Sequence, residues 1–170
     1  MIEKVLLTGW PGCGKTTLVK RVVNNLPQAA GGFYTEEIRE RGGRVGFKIV
    51  TLDGKEAVLA HVDFKTRERV GKYGLDLSAL EPGIKSIRDA IAARRLVVID
   101  EIGPMEIRSA NFRDAVNEAL DSPCPVLATI FARPLPFAEA IKKRAGVTLL
   151  EVRPNNREQL VSELSDQFKR

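Results

Sequence analysis

A glycine-rich segment near the start of the chain has the residue types and the spacing that proteins use to hold phosphate groups. Its residues are Gly9, Trp10, Pro11, Gly12, Cys13, Gly14, Lys15, Thr16 and Thr17, and the first eight of them fit the pattern G-x-x-x-x-G-K-S/T. Glycines let successive backbone N–H groups turn inward around an anion, and a following helix adds positive potential at its N-terminus. The ammonium group of Lys15 can then reach the terminal phosphates of a nucleotide, and the Thr16 hydroxyl can bind Mg²⁺. We therefore predict that residues 9–17 form a nucleotide-binding phosphate loop, or P-loop.

Two acidic residues follow an apolar run in the second half of the chain, where Asp100 and Glu101 come directly after residues 96–99. Four consecutive apolar residues predict a strand that is buried on both faces and whose polar end opens into a site. The order resembles P-loop hydrolases, in which an acidic residue that activates water directly follows the aspartate that is linked to Mg²⁺. We therefore assign Asp100 to the metal and Glu101 to the attacking water. Gly103 is placed with them in the nucleotide site, while Glu106 either supports Glu101 or faces solvent.

Hydrolysis also needs a cation that stabilises the charge developing on the terminal phosphoryl group. Arg133 is the first candidate, because it follows a predicted core strand at the edge of the sheet where this class of fold binds ligands. The basic run at residues 142–144 is the second candidate, and a solvated surface position is the alternative interpretation for both. Thr129, near the end of the same strand, could donate a hydrogen bond to the attacking water, although β-branched residues are common in strands. The charged residues within 36–39 either approach the site or form an exposed cluster.

Alternating strands and helices must position these side chains. Short apolar runs predict strands at residues 3–8, 31–35, 96–100, 126–130 and 146–152. Apolar positions at helical spacing predict helices at residues 16–26, 82–94, 112–120, 137–144 and 155–168. Asn155 is a suitable N-cap for the last of them, with Glu158 three residues later. This alternation predicts an α/β fold with a mostly parallel sheet and helices on both faces.

A small antiparallel hairpin interrupts the α/β pattern. Residues 44–52 and 55–62 flank the pair Asp53-Gly54, which is a strong signal for a hairpin turn. The chain has 170 residues, of which 44% are apolar, and this is enough for one core but hardly for two. We therefore expect a single domain spanning residues 1–170.

The chain is basic, because 27 lysine and arginine residues against 22 aspartate and glutamate residues give a net charge of +5. This excess of positive charge suits phosphate-bearing partners. However, the basic residues are spread along the chain with few aromatic residues among them, and this pattern does not favour a nucleic-acid-binding protein. Cys13 and Cys124 are far apart and lack metal-binding spacing, which indicates free thiols in a reducing compartment. Since neither end carries a long apolar run or a signal-peptide pattern, we expect a cytoplasmic protein that does not contact membranes.

Five segments in this order resemble one family of P-loop proteins over nearly the whole chain: GWPGCGKTT, GGFYTEEIRERGGRVGF, RVGKYGLDL, LVVIDEIGPME and NNREQL. The family is that of the small, thermostable cancer-related nucleoside-triphosphatases. The resemblance implies a RecA-like core and slow, Mg²⁺-dependent hydrolysis of ATP, GTP, CTP and UTP to the diphosphate and phosphate. It also implies that Asn156 and Arg157, within the last segment, border the nucleobase. Where the family often has a lysine after the glycine of the acidic segment, this chain has Pro104.

The residues and the resemblance together predict a nucleoside-triphosphatase with Lys15, Glu101 and Arg133 as its catalytic residues. A small nucleotide or nucleoside kinase is the first alternative, since such enzymes share the P-loop and the size, and residues 133–144 could form a basic lid. Against it, Glu101 is placed for water and the sequence contains no clear acceptor-binding motif. A P-loop switch module that binds nucleic acid is the second alternative, and its binding would weaken steeply with salt. The sequence leaves the oligomeric state open.

Overall fold

Nine strands and five α-helices make up residues 3–170, the part of the chain that the computed structural model describes. The strands are β1 (Lys4–Thr8), β2 (Ala30–Glu40), β3 (Gly43–Thr51), β4 (Glu56–His61), β5 (Arg69–Val70), β6 (Tyr73–Leu75), β7 (Leu96–Ile102), β8 (Val126–Ile130) and β9 (Thr148–Glu151). The α-helices are α1 (Lys15–Asn24), α2 (Glu81–Ala92), α3 (Ala110–Asp121), α4 (Pro136–Lys142) and α5 (Arg157–Phe168). Short 3-10 helices cover Leu77–Leu80 and Glu106–Arg108. The first two residues of the predicted domain, 1 and 2, lie outside the described range.

All of these strands belong to one sheet, in the order β5-β6-β4-β3-β2-β7-β8-β1-β9. The five strands from β2 to β9 in that order pair in parallel and form the centre of the fold. The prediction of an α/β fold with a parallel sheet is therefore confirmed. β8 lies between β1 and β7, so the P-loop and the acidic strand end face each other across one intervening strand.

The two faces of the sheet bury separate apolar cores. Along β1, Leu6 packs on one face while Val5 and Leu7 pack on the other, as the two-residue period of a strand requires. Helices α2, α3 and α4 cover the first face, and α1 and α5 cover the second. This arrangement confirms the prediction of helices on both faces. Within residues 3–170, no helix is both long enough and apolar enough to cross a membrane.

The predicted hairpin is part of a larger antiparallel extension of the sheet. β3 and β4 pair as predicted, with Gly54 at a φ of +94° in the turn between them. However, β2 runs to Glu40 instead of ending near residue 35, and it turns at residues 41–42 into β3. β5 and β6 add two further strands beyond β4. The sequence did not indicate the end of β2, because residues 36–40 are mostly charged and lack an apolar run.

Candidate active site

The loop between β1 and α1 adopts the backbone conformation that the glycine pattern predicts. Gly12 and Gly14 have φ angles of +80° and +94°, in the left-handed region that side chains with a Cβ rarely adopt. Gly14 precedes the first residue of α1, so the free N–H groups of that helix open onto the loop. These features give the loop the shape and the polarity that bind a phosphate group.

The predicted catalytic lysine lies beside the predicted base. Lys15 is largely buried, and its Nζ donates a hydrogen bond to the carbonyl oxygen of Gly9 at 2.7 Å. The same Nζ lies 3.9 Å from Oε2 of Glu101, whose side chain is 27% exposed. Burial raises the pKa of Glu101, while the positive charge of Lys15 opposes that rise. The structure therefore brings a cation and a carboxylate together at the mouth of the P-loop.

A network of hydroxyl groups orients the carboxylate of Asp100, a residue only 2% exposed. Thr16 Oγ1 donates to Oδ2 at 2.7 Å, and Thr129 Oγ1 donates to Oδ1 at 2.6 Å. Burial raises the pKa of Asp100, and the hydrogen bonds from both threonines lower it. Because the Thr129 hydroxyl is committed to this carboxylate, the predicted hydrogen bond from Thr129 to the attacking water is not supported. Thr35, which the sequence analysis missed, donates to the backbone carbonyl of Asp100 at 2.7 Å.

The pair formed by Thr16 and Asp100 fits Mg²⁺, which prefers hard oxygen ligands. Both oxygens are close enough to touch one small cation, since 2.7 Å separates them. Residues 3–170 contain no group of three histidine, cysteine, aspartate or glutamate side chains that could hold a metal unaided. This donor set matches a Mg²⁺ ion that one carboxylate, one hydroxyl and the phosphates of a nucleotide would share.

Glu106 faces Glu101 in the interior and not solvent. A Cβ atom added to Gly103 would lie 2.6 Å from Oε1 of Glu101 and 3.1 Å from Oε2 of Glu106, so both carboxyl groups border the same small space. Gly103 therefore lets the two carboxyl groups approach each other. Burial, followed by the negative charge of Glu101, raises the pKa of Glu106 to about 8. Of the two interpretations that the sequence left open for Glu106, the structure favours a role beside Glu101.

We expect Glu106→Gln to reduce the pH dependence of folding stability. Between the ordinary pKa of 4.5 and the folded value of about 8, the folded protein keeps a proton that the unfolded chain releases. The free energy of unfolding should therefore fall as pH rises through that range, by at most ~1.4 kcal/mol per pH unit, and the variant should lose this contribution. Urea unfolding at pH 5 and pH 8 measures this change in the free energy of unfolding. Glu163→Gln, which alters an exposed glutamate, is the control. Equal pH dependence in wild type and Glu106→Gln would contradict the prediction.

A cavity of about 730 Å³ opens in front of these groups. Eight of the predicted nucleotide-site residues line it: Pro11, Gly12, Gly14, Lys15, Thr16, Thr17, Asp100 and Glu101. Its opposite wall, which we call the far wall, comes from the antiparallel extension and from the loops after β7 and β8: Thr35, Glu36, Glu37, Arg44, Phe47, Val70, Gly71, Tyr73, Pro104, Met105, Glu106 and Phe131. Glu36 and Glu37 therefore approach the site, as one of the two interpretations of residues 36–39 expected.

Arg133 lies outside this cavity. It is exposed in the loop between β8 and α4, and the residue of that loop that lines the cavity is Phe131. The second candidate, the basic run, is also turned away from the cavity, since Lys142 pairs with Glu139 and Arg144 pairs with Asp121. The lining of the cavity supports neither Arg133 nor the basic run at residues 142–144 as the stabilising cation, and the role of Arg133 stays a prediction.

The residues predicted to border the nucleobase lie on the other side of β1. Arg157 Nη1 donates to the carbonyl oxygen of Cys13 at 3.3 Å, so this side chain supports the outside of the P-loop. Asn156 precedes α5 and bonds the backbone of its own loop, and α5 begins two residues later than the predicted cap at Asn155. Trp10, within the P-loop, is 64% exposed, so packing in the core does not explain it.

Three residues of the far wall, Arg44, Phe47 and Tyr73, were not named as candidates from the sequence. Arg44 Nε donates to the hydroxyl of Tyr73 at 3.0 Å, and Arg44 Nη1 lies 3.3 Å from Oε1 of Glu37. The guanidinium also lies 5.0 Å from the ring centre of Phe47. Arg44 is the one arginine among the described residues that line the cavity. The long β2–β3 hairpin brings Glu37, Arg44 and Phe47 together, and Tyr73 joins them from β6. A prediction that β2 ends at Glu40 would have indicated this hairpin.

Comparison with known proteins identifies close relatives. The family model described as NTPase matches residues 4–165. The chain is 50% identical over 162 residues to nucleoside-triphosphatase THEP1 of Thermotoga petrophila, and the match covers 95% of this chain and 90% of that protein.

Two solved structures share the fold along nearly the whole chain. The crystal structure of THEP1 from Aquifex aeolicus matches with a TM-score of 0.88 and 36% identity, covering 98% of this chain and 99% of that one. The solution structure of a human cancer-related nucleoside triphosphatase matches with a TM-score of 0.81 and 36% identity, covering 97% and 96%.

Proposed function

The chain belongs to the THEP1 family of nucleoside-triphosphatases, and from that premise we propose that it hydrolyses ATP, GTP, CTP and UTP to the diphosphate and phosphate in a Mg²⁺-dependent reaction. One observation carries the proposal. Lys15 at the mouth of the P-loop, the Thr16–Asp100 oxygen pair and the partly exposed carboxylate of Glu101 all line one cavity. This is the set of groups that cleavage of a terminal phosphate by water requires.

The P-loop and Lys15 bind the phosphates and stabilise the charge that develops on the terminal phosphoryl group. Thr16 and Asp100 would hold Mg²⁺, which neutralises phosphate charge when it is bound. The threonine hydrogen bonds to Asp100 support this role, because they orient its carboxylate toward the P-loop.

Glu101 accepts the proton of the attacking water. Its raised pKa makes it a stronger base than an exposed glutamate, and Lys15 still favours its ionised form. Glu106 stays mostly neutral at pH 7, since its pKa is about 8, so no full second charge repels the phosphate from this side. Burial raises the pKa of both carboxyl groups, and the positive charge of Lys15 opposes this rise at Glu101.

Broad base preference follows from the surroundings of the predicted nucleobase region. Asn156 Oδ1 accepts a hydrogen bond from the N–H of Arg153, and Nδ2 donates to the carbonyl oxygen of Glu151. The Asn156 amide is thus occupied by its own loop and does not select one base. The exposed ring of Trp10 offers a surface on which any base can stack.

The test is phosphate release from each of the four triphosphates, with Mg²⁺ and with EDTA. We expect release from all four at rates within roughly tenfold of each other, because no hydrogen bond that reads the base is needed. We also expect EDTA to abolish release. Hydrolysis of a single triphosphate would contradict the broad preference, and full activity in EDTA would contradict the role of Mg²⁺.

A further inference from the structure

The cavity extends well beyond the P-loop. Binding sites for small organic ligands measure roughly 300–1,000 Å³. At about 730 Å³, the cavity is within this range. Only one of its walls is the P-loop, so space remains beyond the position of the phosphates.

This remaining space lies on the side of Lys15 and Glu101. Lys15, which reaches the terminal phosphates, approaches Glu101 at the end of β7. From there the lining continues through β2, β3 and the turn between β5 and β6. Among residues 3–170, none from position 148 to position 168 lines the cavity, and this range contains Asn156 and Arg157, our nucleobase candidates. A molecule in the remaining space would therefore face the terminal phosphate.

The far wall has an apolar part with aromatic rings. The rings of Phe47 and Tyr73 pack edge to face with their centres 5.3 Å apart. Met105 and Phe131 are half-buried and line the same cavity. Aromatic and thioether side chains of this kind favour the flat face of a ring.

The polar part of the far wall has its charges already paired. Arg44 pairs with Glu37 at 3.3 Å, and Glu36 pairs with Lys20 at 2.8 Å. A ligand that brought its own net charge would have to disrupt these pairs, whereas hydroxyl groups can add hydrogen bonds to a carboxylate or a guanidinium without doing so. The wall therefore suits a neutral molecule that combines an aromatic ring with free hydroxyl groups.

We propose that the far wall binds a nucleoside as a second substrate and that the protein transfers the terminal phosphoryl group of a nucleoside triphosphate to it. The inference rests on the proposed function, because it uses the same P-loop, metal pair and base. The hydroxyl oxygen of the nucleoside forms a bond to the terminal phosphorus, and the bond from that phosphorus to the bridging oxygen breaks. The nucleoside diphosphate leaves, and the hydroxyl proton passes to Glu101. Hydrolysis is the same displacement with water in place of the nucleoside.

Transfer is measured with ATP radiolabelled at its γ-phosphate, Mg²⁺, and adenosine, guanosine, cytidine, uridine or thymidine in turn. We expect labelled nucleoside monophosphate from at least one nucleoside, with ADP exceeding free phosphate by the same amount. Equal ADP and phosphate with every nucleoside would overturn the proposal. Phosphate release without nucleoside tests the proposed hydrolysis separately, because it does not need the second site.

Two matched variants locate the site. Phe47→Leu removes an aromatic face of the cavity but keeps much of its volume, and Phe64→Leu makes the same change outside the cavity. We expect Phe47→Leu to lower the ratio of transferred to free phosphate by roughly tenfold, which corresponds to one lost aromatic contact. Phe64→Leu should keep the wild-type ratio. Both products come from the folded fraction, so partial unfolding does not change the ratio, and an unchanged ratio in Phe47→Leu would overturn the assignment of the site.

Discussion

Phosphate release by Glu101→Gln is expected to be slower than wild type by roughly 10²- to 10⁴-fold in kcat, which is the usual contribution of a positioned general base. Glutamine has the size of glutamate and can still accept a hydrogen bond, but it cannot take a proton from water. The P-loop and the Thr16–Asp100 pair are unchanged in this variant, so nucleotide binding should be nearly the same. A fall in kcat with little change in KM is the pattern of a group that acts mainly in the transition state.

Steady-state phosphate release gives kcat and KM for this variant, and titration with a non-hydrolysable triphosphate analogue gives the binding constant. Glu118→Gln is the matched control, because Glu118 forms an exposed ion pair with Arg88 on the helical face, away from the cavity. Wild-type kcat in Glu101→Gln would show that another group activates the water. A large loss of binding would show that Glu101 acts on the substrate itself.

Lys15→Ala is expected to lower kcat/KM by roughly a thousandfold or more, because it removes the cation that contacts the terminal phosphates in both the bound and the transition state. The effect should also reach binding, unlike that of Glu101→Gln. The lysine is largely buried between the carbonyl of Gly9 and the carboxylate of Glu101, so no neighbouring side chain takes its place. In the variant, the carboxylate of Glu101 would face the phosphates without the positive charge of Lys15 beside it.

The same kinetic and binding measurements apply to Lys15→Ala. Lys85→Ala is the control, since Lys85 is an exposed lysine on α2 that pairs with Asp89. Circular dichroism of each variant verifies that the helices and strands are retained. Equal losses of kcat/KM in Lys15→Ala and Lys85→Ala would indicate a general effect of charge. Wild-type nucleotide binding in Lys15→Ala would exclude a contact between Lys15 and the phosphates.

The chemistry nearest the phosphate could be predicted from the sequence because its signals are local. The P-loop pattern lies within nine consecutive residues, and the acidic pair directly follows four apolar ones. Parallel strands place their carboxyl ends at one edge, so the loop after β1 and the acids near the end of β7 lie at the same edge of the sheet. The buried strands could be predicted equally well, since a strand covered on both faces is a continuous apolar run. In β1, consecutive residues are buried on opposite faces of the sheet, which confirms the prediction of a strand covered on both faces.

The far wall of the cavity could not be predicted in this way, because it depends on pairings between polar residues that are distant along the chain. Arg44 meets Glu37 only because β2 continues into a long hairpin, and Tyr73 joins them only because β6 pairs with β4. Charged residues that line a groove and charged residues on an open surface have the same composition, so their sequence does not distinguish them.

Side-chain direction is the other property that required the three-dimensional structure. Arg133 follows a core strand, as the sequence analysis required, yet the short loop leaves it exposed. Glu106 had no pattern of its own, and it faces Glu101 because a 3-10 turn after β7 returns it to the interior beside Gly103. The sequence thus determined which groups we assign to binding and cleaving a phosphate, because the motifs that contain them are local. The packing of the sheet determined what else can face that phosphate, because a cavity is made by elements that meet only in the folded chain.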